Sequence, residues 1–292
     1  DYQRDVSEPR LAYDPRNDEW LVVWSDTRWM VDADVTGVHA RRISRTGEPL
    51  GSEALQVKFS AHHPATRPDV CFVDSRTSLM ANPCYLVVWE SLDDSSPRNQ
   101  RIFANKVRRD TGESSGLALV HPAEFMLDEF GDIPLPHQSF NPRVSAFAPE
   151  TSRMQAGRFV YTPISQVVFE VEHNGVYDIY LAQVTNQAVS AVSKVADTLY
   201  ASANATAPQV AWNPVSGRKM VVYQRGDYDV NELRGQIFDN LDNAIGGELL
   251  ISQVSFGFDF SAHPLNDTFF LTTASEGHQR TYRIAGRKVQ PL

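Results

Sequence analysis

One apolar stretch is written twice in this chain, as Leu21-Val22-Val23-Trp24 and again as Leu86-Val87-Val88-Trp89, and fainter copies follow. Repetition on this scale means stacked supersecondary units, and it constrains the fold before any single residue does. Each unit opens with a short strand after a turn signal: Pro9-Arg10-Leu11, Pro68-Asp69-Val70, Pro142-Arg143-Val144, Pro208-Gln209-Val210 and Phe258-Asp259-Phe260. A second strand follows, rich in β-branched and aromatic residues, over residues 20–24, 85–89, 166–169, 220–223 and 269–273. Its short length and nearly continuous apolarity predict a central strand buried on both faces.

A third strand is read at residues 38–43, 102–107, 179–184, 233–237 and 281–284. It leads to a polar turn, clearest at Arg45-Thr46-Gly47 and Asp110-Thr111-Gly112, and then to a weaker fourth strand. Four antiparallel strands per unit of this length describe a propeller blade. The sequence therefore predicts an all-β fold, a five-bladed β-propeller forming a single domain over residues 1–292, with blades starting near 9, 68, 142, 208 and 258. The last unit has room for only three strands, so residues 2–6 are expected to supply its fourth by pairing with the last blade, which would leave no open sheet edge. No segment shows sustained helical spacing. The long connection over 119–141, with Phe125, Met126, Leu127 and Phe130, is expected to order as a short helical turn or a lid.

The pattern Leu-Val-Val-Trp, a polar loop, a strand such as Ile102-Phe103-Ala104-Asn105-Lys106-Val107, then Thr-Gly resembles the repeats of bacterial secreted or surface β-propeller-type proteins, most of them uncharacterised. That resemblance implies a propeller fold and export to the cell surface, the periplasm or the medium. It implies no catalytic residues.

A net charge of -9 and a pI near 5.4 argue against a nucleic-acid partner, which needs clustered Lys and Arg. No apolar run approaches the roughly 18 residues of a membrane span. Opening on Asp1 suits either a mature exported protein or a piece of a longer chain. Cys71 and Cys84 fall on neighbouring strands of one hairpin and are expected to form a disulfide, which would place the chain in an oxidising compartment.

In a propeller, the loops from second to third strand gather at one face. Here they carry many carboxylates: Asp26, Asp32 and Asp34, then Asp93 and Asp94, Glu170, Glu172 and Asp178, Asp227, Asp229 and Glu232, and Glu276. Asp26, Asp32 and Asp34 form the best local candidate for calcium, a cation that takes six to eight oxygens. Trp29, Tyr200 and Tyr228, with Asp227 and Asp229, are candidate ligand contacts, since aromatic faces stack on sugar rings and anchor protein partners. Six histidines (His62, His63, His121, His137, His173 and His278) fall on loops of the same face but lack metal-ligand spacing.

Gly112-Glu113-Ser114-Ser115-Gly116 fits the G-x-S-x-G pattern, yet it aligns with a turn between outer strands and lacks the strand-to-helix context of a nucleophile elbow. Glycosidases on this fold would need two carboxylates near the channel mouth. The repeat positions Arg10, Asp69, Arg143, Gln209 and Asp259 supply Asp69 and Asp259, whereas Asp14-Pro15 falls in a turn. The function predicted is an exported, non-catalytic binding or assembly module for a glycan or protein partner. The alternatives are a glycoside hydrolase or lyase on the same fold, and a structural subunit of a larger extracellular complex, with the 119–141 connection as its docking element.

Overall fold

The computed structural model describes residues 4–30, 33–58, 64–73, 83–93, 96–109, 117–119, 125–126, 137–146, 154–155, 158–159, 165–184, 189–196, 204–227, 230–239, 242–253, 257–263, 265–276 and 282–289. The fold is all-β, with five small sheets of the five-bladed β-propeller class and no helix among the described residues. Among the described residues, no helix is long and apolar enough to cross a membrane.

The first sheet is the meander β1 (Arg4–Asp14), β2 (Glu19–Met30), β3 (Ala33–Ser44) and β4 (Pro49–Lys58). The second contains β5 (Ala65–Val73), β6 (Cys84–Asp93), β7 (Ser96–Arg109) and β8 (Leu117–Leu119), with β9 (Phe125–Met126) also paired to β7. The third has β10 (Gln138–Ala146), then, past a small hairpin of β11 (Met154–Gln155) and β12 (Arg158–Phe159), β13 (Ser165–His173), β14 (Val176–Val184) and β15 (Val189–Ala196). The fourth is β16 (Asn204–Trp212), β17 (Lys219–Asp227), β18 (Val230–Phe238) and β19 (Ala244–Gln253). The fifth is β20 (Gly257–Ala262), β21 (Phe269–Glu276) and β22 (Tyr282–Val289).

Two compact units divide the chain. One comprises residues 1–167 and 182–192, the other residues 168–181 and 193–292. In the first, Leu21, Val23, Val38 and Ala40 pack against Val70, Val87, Trp89 and Phe103 of the next sheet. In the second, Val168, Ile179 and Leu181 meet Val210, Val221 and Tyr223, and the other face of the fourth sheet, with Met220, Val222 and Ile251, meets Phe260, Phe269 and Leu271. Each fully buried Val, Leu, Ile or Phe among these contributes about 1.5–3 kcal/mol. Gly235 makes the second contact possible: a Cβ there would come within 2.7 Å of the Met220 methyl and 2.9 Å of Ile251 Cδ1.

Local chemistry fixes the turns. Ser44 Oγ accepts from the Glu48 amide at 3.0 Å and Gly47 takes φ 89°, which forms the predicted Arg45-Thr46-Gly47 turn. Asn174-Gly175, with φ 55° and 80°, closes β13 onto β14 as the mirror-image hairpin turn this dipeptide favours. Asp14, next to Pro15, accepts the amides of Arg16 and Asn17 at 2.8 and 3.3 Å, and Asn213, next to Pro214, does the same for Val215 and Ser216. Asp14 is thus a turn cap.

Several expectations are corrected. Of residues 2–6, Arg4, Asp5 and Val6 extend β1 and pair with Arg28, Thr27 and Asp26 of β2, residues 2 and 3 lie outside the described residues, and the fifth sheet has three strands among the described residues. The physical reason is a bulge between Ser7 and Arg10 that carries the strand past Pro9 instead of starting it there. Phe125 and Met126 pair as strand β9 with Ala104 and Phe103, because the edge of β7 offers unpaired backbone groups; no helical turn forms there, and the flanking parts of the 119–141 connection lie outside the described residues.

The disulfide is also overturned. Cys71 lies opposite Leu86 and Cys84 opposite Val73, so the two are diagonal neighbours, about 7–8 Å apart at Cα and beyond the usual bridging distance. Both are buried thiols and neither is in a disulfide, and burial pushes the Cys71 thiol up. Two-sided burial of the second strands holds for β6, β13 and the start of β17. It fails for β21, where Phe269 and Leu271 are buried and Phe270 and Thr272 exposed.

Candidate functional site

The proline that opens each of the first four units sits inside its strand, and the residue before it adopts a left-handed conformation: Glu8 (φ 56°), Arg67 (φ 50°), Asn141 (φ 51°) and Ala207 (φ 51°). Non-glycine residues rarely occupy this region. At such a bulge the extra residue drops out of the strand ladder and its N–H needs another acceptor. At three of the four a carboxylate supplies it. Arg67 N donates to Glu8 Oε2 at 2.6 Å, Asn141 N to Glu90 Oε2 at 2.8 Å and Ala207 N to Glu170 Oε1 at 2.7 Å. Glu90 and Glu170 directly follow the aromatic of the second strand, Trp89 and Phe169. In the first sheet that place belongs to Ser25, whose hydroxyl instead supports Glu8 at 3.4 Å.

In the first unit these latches lie beside the residues that follow the prolines, Arg10, Asp69 and Arg143. Asp69 Oδ2 accepts from Val144 N at 2.8 Å, and Arg10 Nε stands 3.9 Å from Asp69 Oδ1. Burial raises the Asp69 pKa, opposed in turn by Arg143, the Val144 amide and Arg10. Burial likewise raises Glu90, against the Asn141 amide, Arg67 at 3.3 Å and the Thr66 hydroxyl at 3.2 Å. Burial lowers Arg143, and Asp69 counters it. Three guanidinium groups and three carboxylates therefore share one neighbourhood on β1, β5, β6 and β10. The acids Asp69 and Glu90 keep only 13% and 6% of their side chains exposed, whereas Arg10 and Arg67 keep 43% and 42%.

The second unit has a different polar set. Gln209 Nε2 donates to Phe258 O at 2.8 Å, and Asp259 accepts from its neighbour Phe260 N at 3.0 Å. Glu248 collects the Tyr223 hydroxyl, Arg225 at 3.1 Å and Arg234 at 3.0 Å, while Glu232 holds Arg234.

The predicted contacts are distributed differently from the expected loop cluster. Trp29 lies in strand β2 opposite Asp34 of β3, because the hairpin continues through β-branched Thr27, Val35 and Thr36. Asp26 is buried in β2 opposite Gly37, with its Oδ2 3.9 Å from His39 Nε2, so Asp26 and Asp34 are three rungs, about 10 Å, apart along the ladder. Asp227 ends β17 opposite Val230. Asp32, Tyr200, Tyr228 and Asp229 lie outside the described residues, as do His62, His63, His121, His278 and the segment 110–116 that holds Ser114. His137 is buried against Arg101, and His173 bonds Asn174 at 2.9 Å. No group of three metal-ligating side chains occurs among the described residues. Sequence reasoning missed Glu8, Glu90 and Asn141. Their signal was the residue before each repeat proline and the Glu after the second-strand aromatic.

No family model matches the chain, and no curated protein does. Solved structures align with it over most of its length. An N-acetylgalactosamine deacetylase from F. plautii in complex with blood group B trisaccharide aligns at 10% identity and TM-score 0.49, over 97% of this chain and 89% of that one. A Bacillus subtilis levansucrase variant in complex with oligosaccharides aligns at 7% and 0.48, over 99% and 84%. A fructofuranosidase variant from Schwanniomyces occidentalis complexed with fructosylnystose aligns at 10% and 0.47, over 98% and 60%. At these identities and scores, the chemistry of those proteins does not transfer to this chain.

Proposed function

We propose that this chain is a binding or assembly module that recognises a glycan or protein partner without turning it over. The supporting observation is the state of the acids beside the repeat prolines: Glu8, Asp69 and Glu90 each accept a backbone amide from another strand. Carboxylates committed to holding neighbouring sheets together are poorly placed to protonate or attack a substrate, whereas the arginine heads beside them remain open to solvent. Calcium at Asp26, Asp32 and Asp34, and ligand contacts at Trp29, Tyr200, Asp227, Tyr228 and Asp229, belong to the same proposal. Export rests on the repeat resemblance alone, since the buried thiols remove the disulfide argument. A glycan array run with and without EDTA tests the reading: binding supports it, loss with EDTA supports calcium, and a blank array counts against glycan recognition.

A glycoside hydrolase is the second reading, and one observation favours it. Asp69 lies opposite Val88, two residues from Glu90, so the acids are diagonal neighbours at roughly 7–8 Å between Cα atoms. Paired carboxylates are what hydrolysis of a glycosidic bond requires, and a pKa raised by burial, as at both acids, suits a general acid. Hydrolysis of an oligosaccharide panel, abolished in Asp69→Asn and Glu90→Gln, would establish the enzyme and sink the binding-only reading.

A further inference from the structure

Within an acidic chain, the prolines at the start of the first three sheets gather arginines. Pro9-Arg10 and Pro142-Arg143 are the same dipeptide at the same repeat position, and each guanidinium makes the same contact, Nη1 donating to the carbonyl of its own proline at 3.3 Å and 3.0 Å. Asp69, the equivalent residue of the strand between them, is the carboxylate that both face. Anchoring by the proline carbonyl fixes both side chains before any ligand arrives, and a fixed planar fork loses little rotamer freedom on binding.

The donors are not used up. Among the described residues, Arg10 has one hydrogen bond from its guanidinium, to Pro9 O, with Asp69 at ion-pair distance, and Arg143 has one, to Pro142 O. Among those residues, no hydrogen bond occupies Nη2 of either arginine. The nearby acids are occupied instead: Glu90 is buried, Asp69 is mostly covered, and they bond to the Asn141 and Val144 amides. What the site offers solvent is guanidinium N–H, most of it from Arg10 and Arg67.

Resting on the binding reading above, we propose that Arg10 and Arg143, with Arg67 beside them, form a recognition site for a carboxylate-bearing sugar of the uronate type. Guanidinium forks match carboxylate oxygens in paired hydrogen bonds, which gives geometric selection as well as attraction. Asp69 between the two arginines tempers the site, so that a uronate is bound by directed hydrogen bonds and not by a field of excess positive charge. The uronate carboxylate takes the Nη2 edge that Asp69 and the prolines leave free.

The test is calorimetric titration of the full chain with tri-galacturonate and with its methyl ester, which keeps the sugar backbone and removes the charge. Binding of the acid at least tenfold tighter than the ester is expected. Arg10→Gln and Arg143→Gln, checked for unchanged thermal unfolding, are each expected to weaken acid binding about tenfold and to leave the ester unaffected. If Arg143→Gln fails to fold, Arg10→Gln, whose side chain is largely exposed, decides alone. Equal binding of acid and ester, or acid binding untouched by Arg10→Gln, overturns the uronate site and leaves the binding module standing. No binding of the acid, with neutral glycans bound on the array, does the same, and no binding to any glycan overturns the uronate site and glycan recognition together.

Discussion

The second and fifth sheets both begin as antiparallel meanders, yet they are held in opposite ways. In the second, Cys84 through Ser91 of the central strand are buried, Pro68 sits in a bulge, and Glu90 binds the Asn141 amide of the third sheet. In the fifth, no proline opens the strand, β20 pairs with β21 without a bulge, and the polar link to its neighbour runs from the Gln209 side chain to Phe258 O. The central strand there buries only alternate residues. The difference shows that the carboxylate latch depends on the bulge: only a strand with a surplus residue has an amide to give.

The largest effect expected from this contrast is at Glu90. Glu90→Ala leaves the Asn141 amide and the Arg67 guanidinium without their buried acceptor and should cost about 2–4 kcal/mol in urea unfolding. A loss below about 1 kcal/mol would show the latch to be decorative. In the fifth sheet's counterpart, Gln209→Ala removes a neutral hydrogen bond and should cost only about 1 kcal/mol.

Asp69 sharpens the comparison through pH. Its pKa is raised by burial, so the folded protein binds the proton more tightly than the unfolded chain does. Its contribution is therefore fully present below the unfolded carboxylate pKa, about 4, and is lost as pH rises through the folded value. Melting temperatures measured across mildly acid pH should fall with rising pH more steeply for the native chain than for Asp69→Asn. Parallel curves would remove the burial argument.

A smaller effect of opposite sign is expected at Ala207, which holds a left-handed conformation that an alanine side chain disfavours. Ala207→Gly should stabilise by about 0.5–1 kcal/mol, while Gly257→Ala at the unbulged start of β20, where a Cβ meets nothing within 4 Å, should not destabilise. The smallest effect is a null. Adding a reductant should leave the melting temperature unchanged, and a thiol reagent should label Cys71 and Cys84 only after unfolding. A drop on reduction would restore the bridge.

Much of the architecture was legible because it is repeated: nearly continuous apolarity within a short strand and the recurrence of whole units reinforce each other in Leu21-Val22-Val23-Trp24 and Leu86-Val87-Val88-Trp89. The strand limits were not. Asp26, Thr27, Arg28 and Trp29 are polar or punctuated enough to suggest a loop, but backbone pairing with Ala33 through Gly37 continues regardless of their chemistry. The site was half legible. Arg10, Asp69 and Arg143 stand out as equivalent positions, whereas Glu8 and Glu90 act through amides exposed by a backbone conformation, and no residue type announces that a non-glycine will turn left-handed before proline.

The amides of Arg67, Asn141 and Ala207 belong to one sheet and are sealed by an acid reaching across from the sheet before it. Solvent can reach such a hydrogen only when neighbouring blades part, however intact each blade remains. Three signals in a deuterium-exchange experiment would thus time the breathing of successive seams one by one, with no label added to the molecule.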